Sequence, residues 1–384
     1  MRLQRFSILA VAIGFLGWNH GWPIAACDIC PGGNAEPLSR SLQQTPIVIF
    51  GSITDAQLAT DGIRGTSEFK IEAVLKDSDK LKNTKTITIY KYVQPHPQIK
   101  YLAFADLVGN QVDVYRSLQF NNDRIVKYLQ EAPKDKPGVK VDAKTRLRYY
   151  FDFLNDPERA IAFDAFLEWA TASNQDVCQI APTLPAESIR KWLLDPKTET
   201  NRLGLYAYLL AACGNDQDVL LLKQLLDQPG ERFRPALDGI LAGYIHMKPK
   251  EGWEFTKQFL VEPNRQFVDY MAVLRMLRFV YANHADTAKP MIIECMGLML
   301  QNPFSLDLAI DQLRRWQIWS HTDPILKHYH STMNLAPITK RAILRYALSC
   351  PEPNAKSFIE RVRAQDSQLV KEIEEDLQLD RIGK

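Results

Sequence analysis

The stretch VDYMAVLRMLRFVY, residues 268–281, sets Val273, Met276, Leu277, Val280 and Tyr281 along one side of an α-helix, with Arg275 and Arg278 in the gaps between them. The same spacing recurs in Ala162, Phe166, Trp169 and Ala170 and again in Leu237, Ile240, Leu241, Tyr244 and Ile245. Six prolines punctuate these stretches, at Asp156-Pro157, Asp195-Pro196, Gln228-Pro229, Glu262-Pro263, Asn302-Pro303 and Ala336-Pro337, and successive ones lie 39, 33, 34, 40 and 34 residues apart. A period of this length belongs to stacked helical repeats. One amphipathic hairpin cannot cover its own apolar face, so such units lean on one another in series, and residues 142–380 are expected to form an α-solenoid. Proline suits the first helical position, which needs no N–H partner, and Asp156, Asp195 and Asn302 just ahead of it are expected to act as N-caps.

Upstream the period falls to 2. Phe69, Ile71 and Ala73 alternate with Glu68, Lys70 and Glu72, and residues 86–92, TITIYKY, alternate in the same way, which indicates strands with one wet face. Further strands are expected at Pro46 to Ile53, Ile99 to Val108 and Gln111 to Tyr115, separated by turn-rich segments at 60–65 and 77–83. Five short strands in so small a span predict an antiparallel barrel. A helix is expected from Asp123 to Leu129, and residues 131–141, rich in proline and charge, read as a linker. The fold class expected is therefore multidomain α+β, with a β module at 27–130 followed by the solenoid.

Residues 1–26 carry the marks of an export signal: Arg2 and Arg5, an apolar run from Phe6 to Trp18, and small residues before Cys27. That run is too short to span a bilayer, and no later stretch is long and apolar enough. The signal holds two of the 47 basic residues and none of the 45 acidic ones, so the mature chain is neutral. Neutrality gives no overall pull toward nucleic acid or an anionic membrane, and no nucleic-acid partner is expected. Ile24-Ala25-Ala26-Cys27 resembles a bacterial lipobox, which implies a lipidated Cys27 as first mature residue. Simple release by a signal peptidase remains the alternative. Either route places the protein in the periplasm or at the cell surface, with membrane contact only through an anchor at Cys27.

Two family resemblances rest on these residues. Residues 266–277, QFVDYMAVLRML, with an acidic residue, then small and apolar residues, then arginine, resemble the second part of a HEAT-type repeat, echoed at Leu306 to Arg315 and Ile338 to Leu348. Tetratricopeptide repeats share the spacing of 34 but carry a Trp/Gly/Tyr pattern that this chain lacks. A mature chain opening at Cys27, with Cys30 close behind and Phe69-Lys70-Ile71-Glu72-Ala73-Val74-Leu75-Lys76 among its strands, resembles the netrin-like domain of tissue inhibitors of metalloproteinases. That resemblance implies an OB-like fold. The inhibitors open Cys-x-Cys and bridge those cysteines within the domain, whereas here Cys27-Asp28-Ile29-Cys30 is followed by no cysteine until Cys178.

Candidate site residues are few. Cys27 and Cys30 are spaced to form a disulfide, a small redox ring or half a metal site, although Pro31-Gly32-Gly33 is not the helix start that redox use wants. In the inhibitor resemblance the free amine and carbonyl of Cys27 would chelate a protease zinc, which lipidation would abolish. Cys213 and Cys350 fall in phase with apolar neighbours and read as small core residues. Arg275, Arg278, Arg314, Arg315, Arg341 and Arg345 could line a basic surface that grips an acidic partner, or form Asp/Arg ladders between neighbouring units. The tryptophans of the helical region read as packing residues, and His328 and His330, two apart, cannot share a helix face as metal ligands. No phosphate loop, nucleophile elbow or zinc-helix motif is present, so no catalytic residue, metal or cofactor is assigned. The expected role is non-catalytic binding or scaffolding of a protein or other macromolecule. Metalloproteinase inhibition through Cys27, and an enzyme whose site is scattered through the sequence, are the alternatives.

Overall fold

The computed structural model describes residues 28–29 and 35–382, apart from 61, 63, 78, 80, 82, 110, 136, 137 and 331–334. Residues 1–26, expected as an export signal, and Cys27 and Cys30, with every expectation attached to them, lie outside the described residues. Five strands, β1 (Ile47–Leu58), β2 (Gly65–Lys76), β3 (Thr86–Ile89), β4 (Lys100–Val108) and β5 (Gln111–Phe120), form one antiparallel sheet in the order β3-β2-β1-β4-β5. The central strands do not alternate, because both of their faces are covered. Ile47, Ile49, Phe69, Tyr101 and Ala103 fill one core, while Val48, Phe50, Leu102, Phe104 and Phe120 point the other way into a core shared with the helices. Bulges bend β1 against β2, and one falls at Gly51, where a Cβ would lie 1.9 Å from the Lys70 carbonyl oxygen.

Helices α1 (Leu38–Gln44) and α2 (Arg124–Glu131) join that shared core through Leu38, Leu42, Ile125, Tyr128 and Leu129. Two further helices, α3 (Ala143–Phe151) and α4 (Arg159–Ala170), continue it. Helix α4 is buried along most of its length and carries two buried acids, Asp164 and Glu168. Asp164 accepts hydrogen bonds from the Leu38 N–H at 2.6 Å and the Tyr128 hydroxyl at 2.7 Å, and Glu168 accepts from the Ser39 hydroxyl. One carboxylate thus satisfies the start of α1 and the face of α2 at once.

The remaining helices are α5 (Asn174–Ile180), α6 (Ala186–Leu194), α7 (Leu203–Cys213), α8 (Asp216–Asp227), α9 (Gly230–Phe233), α10 (Leu237–Met247), α11 (Pro249–Val261), α12 (Phe267–Met299), α13 (Leu306–Arg315), α14 (Thr322–His328), α15 (Pro337–Ser349), α16 (Pro353–Gln365) and α17 (Ser367–Ile382). Helix α7 packs on α10, α10 on α12, α12 on α13, α13 on α15 and α15 on α17. Leu203 to Ala211 are buried all round, as befits a helix with neighbours on every side. A Cβ on Gly239 of α10 would sit 2.0 Å from the Gly204 carbonyl oxygen of α7, so the two backbones touch there. Helix α12 is two helices joined at a kink at His284.

The proline reading needs correction. Of the six punctuating prolines only Pro337 opens an α-helix at its first position, joined by Pro249 and Pro353 outside that set. Asp156, Asp195 and Asn302 are not helix N-caps: α4 and α13 start at Arg159 and Leu306, and Asp195 ends α6. Their side-chain oxygens instead accept the N–H two residues on, of Glu158, Lys197 and Phe304, at 2.8, 2.9 and 2.9 Å. Proline keeps the residue before it out of the helical region, and an Asp or Asn there closes an Asx turn across the ring.

Burial pushes the Asp164 carboxyl from 3.8 up to about 7, against the pull of the Leu38 and Tyr128 bonds. Its contribution to folding is therefore full below about pH 4 and is lost as pH rises through 7. Asp164→Asn keeps an oxygen for Leu38 and removes the ionisation. Between pH 5 and pH 8 the urea unfolding free energy of the native chain should fall by about 2 to 3 kcal/mol more than that of the variant; parallel profiles would contradict this.

Candidate functional site

The arginines at 275 and 278 sit three apart on the first half of α12, beside the buried stripe of Val273, Leu274 and Leu277. Three aspartates at helix starts, Asp238, Asp269 and Asp218, each take an arginine from an adjoining segment. Asp238, fully buried at the start of α10, accepts from its own Gly239 N–H at 2.8 Å and from Arg275 Nε at 2.5 Å. Burial raises the Asp238 carboxyl, and Arg275 draws it back. Asp269, at the start of α12, receives Arg234 through Nε and Nη2 at 3.0 and 2.7 Å. Burial pushes its carboxyl up, but the Arg234 bonds and the Gln266 N–H prevail and hold it below the ordinary value. Asp218 of α8 is held in the same two-pronged way by Arg190, at 2.6 and 2.8 Å. These pairs bind one helix pair to another, and their planar fit suits arginine rather than lysine.

Most of the remaining sequence-predicted arginines are paired as well. Arg314 and Arg315 close on Asp311 from opposite oxygens, at 2.8 and 2.7 Å. Arg341 and Arg345 share Asp376 on α17, at 3.1 and 3.2 Å. Arg278 differs. It is half-buried, donates Nε to Gln312 Oε1 at 2.5 Å, and has no carboxylate within ion-pair distance among the described residues. Burial draws its guanidinium below its ordinary range, with Asp28 and Asp311 acting against that and Arg315 and Arg275 adding to it.

Asp28 comes from the other end of the chain. Its N–H donates to Asn174 Oδ1 at 3.3 Å and its Oδ2 accepts from Asn174 Nδ2 at 3.0 Å, while Ile29 is fully buried in the helical core. Burial raises the Asp28 carboxyl, and the Asn174 bond, Arg278 and Arg275 pull it back. The first residues of the described chain are therefore seated on the helices, with an acid whose charge acts on Arg278. A polar cavity of about 360 Å³ opens between Arg314, Arg315, Gln317, Trp319, Ser349 and Asp380. Sequence reasoning named Arg278 but missed Asp28, Asn174 and Gln312. The acid between Cys27 and Cys30 was the one visible hint.

Other sequence candidates have plain surroundings. Trp169 and Trp253 are buried, Trp192 packs between Phe151 and Tyr206, and Trp316 stacks on Tyr281 at 4.3 Å. His321 is hydrogen-bonded through Nε2 to the Ile293 carbonyl at 3.1 Å. Cys178, Cys213, Cys295 and Cys350 are free thiols, and Cys350 is buried. Among the described residues no three His, Cys, Asp or Glu side chains gather to hold a metal, and no helix is long and apolar enough to cross a membrane. No family model, curated protein or solved structure matches the chain.

Removing Arg275 strands a fully buried carboxylate, so Arg275→Ala should cost about 3 to 5 kcal/mol of unfolding free energy at pH 7. Arg278→Met strands no carboxylate and should cost less than about half as much. Urea denaturation of both variants checks this, and equal losses would contradict the assignment of separate roles.

Proposed function

We propose that this chain is an exported, non-catalytic binding protein whose helical face takes an acidic segment of a protein partner at Arg278. The observation that carries the reading is the contrast along one face: its other arginines are tied to aspartates, and Arg278 is left with Gln312 and the chain's own Asp28. A half-buried guanidinium with donors unused among the described residues is a costly feature for stability alone and a useful one for gripping a carboxylate. The chain's own Asp28, whose charge acts on Arg278, supports a carboxylate as the group gripped.

The finer architecture belongs to the same proposal. Strand order β3-β2-β1-β4-β5, with β3 and β5 drawn near each other and Gln111 Nε2 donating to the Tyr90 hydroxyl at 3.1 Å, fits a five-stranded OB-like barrel of netrin-like kind. The serial packing of α7, α10, α12, α13, α15 and α17, with Asp/Arg pairs between units, fits a HEAT-type solenoid. A stack of this kind offers a long surface for one partner, and the β module adds a second. Residues 1–26 support export to the periplasm or cell surface, with Cys27 as mature N-terminus or lipid anchor. The inhibitor reading needs the segment at Cys27 to enter a protease cleft, and the burial of Ile29 against the chain's own helices favours the helical-face reading over it.

The test is affinity capture from cell-envelope extract with the immobilised mature chain, run beside Arg278→Glu. A partner retained by the native chain, released by a short poly-aspartate peptide and lost from the charge-reversed variant is the expected result. Equal retention by both chains would sink the proposal.

A further inference from the structure

Helix α12 bends at His284, whose φ of −138° and ψ of 30° are not helical, and it carries Pro290 six residues further on. Proline gives no N–H to the carbonyl of residue 286 and its ring presses on that carbonyl, so the helix opens over this turn. The opening faces α10 and the first turn of α11. It leaves a cavity of about 500 Å³, within the range of small-molecule sites.

The floor and the rim of this cavity differ in chemistry. Tyr208, Trp253 and Phe279, all buried, line the floor with Ile245 and Met291. The Tyr208 hydroxyl is occupied by the Cys178 thiol at 2.9 Å, so this tyrosine presents its ring to the cavity. At the rim stand Lys250, His246 and His284. Among the described residues no carboxylate pairs with Lys250. Burial and the nearby His284 hold the His246 imidazole below its ordinary value. An anion at the rim would answer all three groups, and an aromatic body would meet three ring surfaces below.

We infer that this cavity is a second binding site, for a small aromatic anion whose ring rests on the floor formed by Tyr208, Trp253 and Phe279 and whose acid group stays at Lys250, His246 and His284. The site is separate from the Arg278 face and stands or falls without it.

Calorimetric titration of the mature chain with 2-naphthoate, with its neutral counterpart 2-naphthalenemethanol, and with decanoate tests the inference. Thr287 and Lys250 are exposed at the mouth, so Thr287→Trp and Lys250→Glu should fold, which thermal melting checks. Expected are one 2-naphthoate per chain, binding at least about tenfold weaker for the neutral alcohol and for Lys250→Glu, and loss of binding in Thr287→Trp. Absence of 2-naphthoate binding, equal binding of acid and alcohol, tighter binding of decanoate, or binding indifferent to Thr287→Trp in a folded variant would each overturn it.

Discussion

The outer face of the sheet, made of Val48, Phe50, Leu102, Phe104 and Phe120, is too apolar to stand in water, and its need for cover organises the rest of the molecule. Helices α1, α2 and α4 join it in one core, and the core runs on through the helices that follow. Covering the sheet brings the start of α1 and the Tyr128 hydroxyl inside, where unmet polar groups are costly. Asp164 meets both. The sheet is therefore fastened to the helices by packing and by a buried carboxylate together, and removing either element would expose the other.

Beyond α4 the same demand passes from helix to helix, and the close approach at Gly204 and Gly239 shows how little space separates successive layers. Packing alone would let neighbouring helices slide. The Asp/Arg pairs at Asp218, Asp238 and Asp269 fix the register, because each aspartate meets backbone N–H groups of its own helix start and a guanidinium from an adjoining segment. Charge on this face is thus mostly spent on the fold. Among the described residues of this face Arg278 is left without a carboxylate at ion-pair distance, and the charge of the chain's own Asp28 acts on it.

Strands with one wet face, such as β2, could be read from alternation, and helices with an apolar stripe, such as the first half of α12, from their spacing. Helix α1 could not: it is short, and its cover comes from α4, more than a hundred residues away. The prolines gave the spacing but not the geometry, since Asp-Pro and Asn-Pro close turns before a helix as readily as they cap one. The arginine face was legible as a set of residues. Which arginine lacks a carboxylate depends on where Asp238, Asp269, Asp311 and Asp376 come to lie, and no local pattern reports that. The cavity at the α12 break was equally hidden, because Pro290 marks the break but not what faces it.

Native-state hydrogen exchange, followed by mass spectrometry across a urea series below the unfolding transition, tests most directly whether the sheet and the helices are one fastened unit. Amides of α1, β1, β4 and α4 should open together, with one free energy and one urea dependence. A sheet that exchanges at clearly lower free energy while α4 stays protected would contradict the account.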